Sequence, residues 1–126
     1  MNNVTSFYLA GIQFRPEEDT KDLNTDQVLK LEAEPDNQYD DQAIKVLTLD
    51  NKFIGYVPKK ITKDLHPFRL SNIPLYIYIA NYIPEMPSYK RCLIAVKSKE
   101  ELPKYIPESK EKEDFKDFIC LEKVDE

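Results

Sequence analysis

The side chains best suited to chemistry crowd into one polar run, residues 34–41, where Glu34, Asp36, Asp40 and Asp41 stand with Asn37 and Tyr39. Four carboxylates this close suggest a divalent-cation site of the kind used by metal nucleases and calcium loops. The run lacks the glycine and the closing glutamate of a calcium loop, and the position two before Lys45, where a nuclease pairing would want an acid, is Ala43. The templates for nucleophilic and nucleotide chemistry are also empty, with no serine in a glycine-flanked turn and no glycine-rich phosphate loop. His66, the single histidine, reads as a cap at a helix end beside Pro67. No enzymatic activity, metal or cofactor is expected. The plainest reading of residues 34–41 is a turn, since Asp and Asn bond their own backbone, and Tyr39 would then lie over the edge of the core.

The elements that hold this run can be read from punctuation and periodicity. At 126 residues and 41% hydrophobic content, the chain suits one domain with a modest core. Residues 6–15, rich in Phe7, Tyr8, Leu9, Ile12 and Phe14 around Gly11, read as a first strand with a bulge or a close backbone approach, ended by Pro16. Residues 17–22 read as an acidic loop. Residues 26–34 alternate as a half-buried strand stopped by Pro35, and residues 43–49 and 52–57 form a hairpin about Asp50 and Asn51. Pro58 suits the first position of a helix, Ile61, Leu65 and Phe68 recur at helical spacing, and Pro67 is expected to end it. Strands follow at residues 73–83, with both faces substantial, and at 89–97. The last apolar cluster, within residues 112–124, fits a helix turn or an edge strand equally. The resulting expectation is a mainly β, small OB-like barrel of five or six strands with one short helix, spanning residues 1–97, and a charged C-terminal extension, residues 98–126, packing on it.

Cys92 and Cys120 have no paired spacing and apolar neighbours, and read as buried free thiols of the core. The first residues lack a basic region followed by an apolar run, and no apolar stretch approaches the length of a membrane span, so a cytoplasmic protein is expected. The net charge of −5 argues against nucleic acid, but its distribution does not. Residues 1–44 carry 3 basic and 10 acidic side chains, residues 45–97 carry 9 and 3, and residues 98–126 carry 6 and 10. The middle of the chain is basic, either as one face or as scattered solvating groups.

Three blocks, FYLAGIQF, LEAEPDNQYDDQAIKV and FIGYVPKK, resemble the HIRAN domain, a small module found beside SWI/SNF-type helicases and alone in bacteria and phages. The resemblance runs from Phe7 to about Phe68. Ala33 stands where an arginine is frequent, Gln38 replaces the proline before the tyrosine, and Tyr56 stands where some members carry histidine. The resemblance implies a modified OB-like barrel that, in the eukaryotic members, holds the 3′ end of single-stranded DNA. It assigns Tyr39 to stack on a terminal base, Phe14 to stack on the same base or its neighbour, and Asp40 to accept a hydrogen bond from the 3′ hydroxyl. Asn37 would brace the loop or meet the base, and Tyr56, Lys59 and Lys60 would meet phosphates. A carboxylate is tolerable beside a nucleic-acid backbone where the strand ends in a hydroxyl that can donate to it. The expected partner is a single-stranded DNA 3′ end. A second class, a protein-interaction or regulatory module, is suggested by the acidic first third and the charged C-terminal segment.

Overall fold

The computed structural model describes residues 1–105 and 116–123. Six strands, β1 (Asn2–Tyr8), β2 (Val28–Ala33), β3 (Ile44–Thr48), β4 (Phe53–Tyr56), β5 (Leu75–Tyr82) and β6 (Cys92–Ser98), form an antiparallel sheet in the order β1-β6-β5-β2-β3-β4. Helical turns α1 (Glu17–Thr20) and α3 (Ser88–Arg91) punctuate the connections, and the long helix is α2 (Lys59–Leu70). The sheet curls into a half-barrel. In β2 and β6, and in β5 as far as Ile79, every second residue is buried, as expected of strands with one face on a core. Leu29, Ile77, Ile79 and Ile94 are fully buried in a cluster that also takes in Leu65 and Phe68 of α2. Each such side chain contributes about 1.5–3 kcal/mol by leaving water.

The curl closes at one point. Past β1, Ala10 pairs with Tyr56 of β4 through both backbone hydrogen bonds, 2.9 and 2.8 Å. Gly55 makes this approach possible, because a Cβ there would lie 2.7 Å from the Ala10 carbonyl oxygen and from Leu9 Cγ. Gly11 then takes φ 76°, the left-handed region that glycine enters without steric cost, and turns the chain into a short 3-10 turn, Ile12–Phe14.

Several sequence expectations are corrected here. The first strand lies earlier than residues 6–15: it starts at Asn2, paired with β6, and Gly11 ends the extended stretch instead of bulging it. Residues 17–20 form a helical turn in place of a loop, with Glu17, Glu18 and Asp19 in its first turn, where carboxylates suit the helix dipole. Residues 88–91 are helical, so β6 begins at Cys92. Pro67 does not end α2, which runs to Leu70. The ring removes one helical hydrogen bond, but burying Phe68 and tying Arg69 to its neighbours holds the next turn in place. His66 accordingly lies inside the helix and not at its end.

Both cysteines are free thiols at the core, but they differ in burial. Cys92 is fully buried, whereas Cys120 is half-buried in a seam of the sheet. Strands β2 and β5 pair at Val28 with Tyr78 and at Leu29 with Ile77, and residues 117–121 occupy the space beyond. Leu75 exchanges backbone bonds of 2.8 Å with Ile119 and Leu121, a parallel bridge centred on Cys120. On the other side, the Leu31 amide donates to Cys120 Sγ at 3.3 Å, and the Ala33 amide donates to Asp117 Oδ1 at 3.1 Å. Of the apolar cluster left open between helix and edge strand, Cys120 forms this one-residue bridge, and residues 112–115 and 124 lie outside the described residues.

Candidate nucleic-acid interface

The loop joining β2 to β3 is organised by one side chain. Asn37 Oδ1 accepts from the backbone N–H of Tyr39 at 2.8 Å and of Asp40 at 3.0 Å. Its Nδ2 donates to Glu34 Oε1 at 2.6 Å, and the same oxygen accepts from the Tyr56 hydroxyl at 2.9 Å. A line of hydrogen bonds thus runs from β4 through Glu34 and Asn37 into the peptides that carry Tyr39 and Asp40. Asp40 Oδ1 accepts from the Gln42 N–H at 2.9 Å, a short side-chain-to-backbone turn of the kind expected from the sequence. Tyr39 does not lie over the core edge, since it is 93% exposed on a backbone held from beneath.

Beside this loop one ammonium is shared by two carboxylates. Lys45 Nζ lies 3.7 Å from Glu32 and 3.6 Å from Glu34. Burial pushes the Tyr56 hydroxyl above its ordinary pKa, and the hydrogen bond to Glu34 adds to the shift, so Tyr56 stays a neutral donor. Beneath the loop, His66 Nε2 meets the Gln42 carbonyl at 2.9 Å, and Nδ1 accepts from Arg69 Nε at 3.0 Å. Among the described residues no three His, Cys, Asp or Glu side chains gather as a metal site.

Of the seven residues singled out in the sequence, Asn37, Tyr39, Asp40 and Tyr56 come together through Glu34, with Asn37 and Tyr56 in bracing positions. Lys59 and Lys60 are exposed on the first turn of α2, whose N-terminus has no side-chain cap. Phe14, 80% exposed at the end of the 3-10 turn, shares no ring contact or hydrogen bond with Tyr39 among the described residues. Beside the 3-10 turn lies an open groove of about 630 Å³, lined in part by Tyr8, Gly11, Gln13, Lys60 and Tyr89. Sequence reasoning missed Tyr8 and Tyr89, which are 44% and 67% exposed. Their signal was faint: an outward position in a strand read from the wrong start, and an aromatic in a helical turn after Pro87.

A curled antiparallel half-barrel, with exposed aromatics and a braced polar loop at one end, defines a small binding module. The chain belongs to the HIRAN domain family, known for DNA-end binding, whose family model matches residues 2–99. The match extends the resemblance read from Phe7 to Phe68 across β5 and β6. The fold is similar to the crystal structure of the HIRAN domain of human HLTF, with a TM-score of 0.61 and 16% identity over 75% of this chain and 74% of that one. It is also similar to a crystal structure of a protein from Lactobacillus plantarum, with a TM-score of 0.58 and 20% identity over 76% of this chain and 95% of that one. At these identities the likeness establishes the fold. Among curated proteins none matches. No helix among the described residues is long and apolar enough to cross a membrane.

Proposed function

We propose that this domain binds the 3′-hydroxyl end of single-stranded DNA without catalysis. The observation that carries the reading is the brace at Asn37, which fixes the Tyr39 and Asp40 peptides while leaving the Tyr39 ring 93% exposed. An aromatic ring already held out of the core can take a base at little cost in ordering, and stacking is indifferent to base identity. Asp40 Oδ1 is engaged by Gln42, so Oδ2 is the oxygen that accepts from the terminal hydroxyl. A 3′ phosphate in that place would meet the carboxylate as a like charge. The uncapped first turn of α2, with Lys59 and Lys60, offers amides and cations to a phosphate. The groove beside Lys60, with Tyr8 and Tyr89, receives the nucleotides behind the end.

Fluorescence anisotropy with one oligonucleotide, carrying either a free or a phosphorylated 3′ end, tests the proposal. Tighter binding of the free end, lost in Asp40→Ala, is expected. Equal binding of both ends, or an unchanged preference in Asp40→Ala, overturns it.

A further inference from the structure

The outer face of the sheet, away from the core and from the residue 34–41 loop, carries a second aromatic and basic surface. Tyr76 and Tyr78 project outward from β5, the alternate residues Leu75, Ile77 and Ile79 being buried. Their rings sit 5.3 Å apart, nearly edge to face. Lys97 stands opposite Tyr76 in the register of β6, and its Nζ lies 5.5 Å from the Tyr78 ring centre. The strand positions flanking Tyr78 are small or slim, Ala95 on β6 with Ser6 beyond it on β1, and Val28 on β2. The result is an open hollow of about 410 Å³ with Tyr76, Tyr78 and Lys97 in its wall.

Lys97 is the cationic side chain that lines the hollow. Of the other cations at outward strand positions, Lys45 is shared by Glu32 and Glu34, and Lys30 donates to Asn51. Asp26 lines the hollow as well, which leaves the Lys97 side for phosphates and the tyrosines for bases. Phe53, also outward, is already covered by the Arg15 guanidinium at 4.0 Å and is not a stacking site. The Tyr78 ring is covered by a flexible ammonium instead, which a phosphate can draw aside to leave the ring face for a base.

We infer that the Tyr76, Tyr78 and Lys97 surface is a second binding site, for an internal stretch of single-stranded DNA. It takes bases by stacking and backbone by charge, with no need of a strand end, and does not rest on the end-recognition reading. A circular single-stranded oligonucleotide, which has no end, isolates this site in the full chain. The expected result is salt-sensitive binding of the circle, weakened roughly tenfold in Tyr78→Ala and retained in Tyr78→Phe. Lys97→Gln, on a half-exposed side chain, leaves the fold intact and lowers the slope of log affinity against log salt by about 0.7. The preference of a linear oligonucleotide for a free over a phosphorylated 3′ end is unchanged in all three variants, so the two sites fail separately. Absence of binding to the circle overturns the inference. So does binding that survives both Tyr78→Ala and Lys97→Gln, or that Lys60→Ala abolishes while these two do not.

Discussion

His66 and Asp40 grip the same residue from opposite sides. The His66 ring holds the Gln42 carbonyl at 2.9 Å, and the Asp40 carboxylate holds the Gln42 amide at 2.9 Å. Because Arg69 donates to Nδ1, the ring is the neutral tautomer with its proton on Nε2, donating to Gln42. Burial lowers the His66 pKa from its ordinary 6.5; the Gln42 carbonyl opposes this, Arg69 adds to it, and Asp40 opposes it. The folded chain therefore resists a proton that the unfolded chain accepts. Stability should be level above pH 6.5 and should fall as the pH drops through that value toward the folded pKa. Thermal melting from pH 8 to pH 5 checks this, and a His66→Gln chain should lose that part of the pH dependence.

Asn37→Ala removes one acceptor shared by two amides and one donor to Glu34. A loss of about 1 kcal/mol in stability is expected, together with a larger loss in DNA affinity, since the loop would no longer hold Tyr39 and Asp40 in one geometry. Chemical denaturation and anisotropy on the same sample separate the two effects. Unchanged DNA affinity would show that the brace has no part in binding.

Tyr39→Ala and Phe14→Ala touch rings that are 93% and 80% exposed. Each should leave stability within about 0.5 kcal/mol and cost about 1–3 kcal/mol of DNA affinity if its ring stacks on a base. A double variant no weaker than the weaker single one would place both rings on one base, whereas additive losses would place them on two.

The thiols of Cys92 and Cys120 are pushed up to about 12 and about 11, in both cases mainly by burial. At pH 8 neither is a thiolate, the form that reacts. A chromogenic disulfide reagent should label them at the rate of unfolding and label both at once in denaturant. Rapid labelling of Cys120 under native conditions would show that residues 117–121 leave the seam.

Gly55→Ala forces a Cβ into the Ala10 carbonyl and the Leu9 side chain at 2.7 Å. Backbone cannot yield there as a side-chain tip could, so a loss of about 1–3 kcal/mol is expected. It should appear as a lower melting temperature and faster amide exchange at Ala10 and Tyr56, the two ends of the closing bridge.

What the sequence made legible follows from which interactions are local. Strands β2 to β4 were readable because Pro35, the Asp50 and Asn51 turn and Pro58 bound them, and Asn51 does take the positive φ of such a turn. The start of β1 at Asn2 was not readable, because it is set by pairing with β6 at the far end of the chain. The continuation of α2 through Pro67 depends on long-range partners of Phe68 and Arg69, which no local propensity records. In the candidate site, residue types announced Asn37, Tyr39 and Asp40. The bracing work of Tyr56 was hidden, since Glu34 and Tyr56 meet across strands. His66 was misjudged for the same reason, its partner Gln42 lying on another element.

The stretch matched to the family stops at residue 99, but the sheet is not complete there. On their β5-facing edge, the amides of Leu31 and Ala33 are answered by Cys120 and Asp117, beyond that stretch. The matched stretch and the set of residues that bond the sheet therefore end at different places. A chain cut at 99 would keep every strand and lose the wedge between two of them, and the vacated edge would be offered to the nearest strand of another molecule.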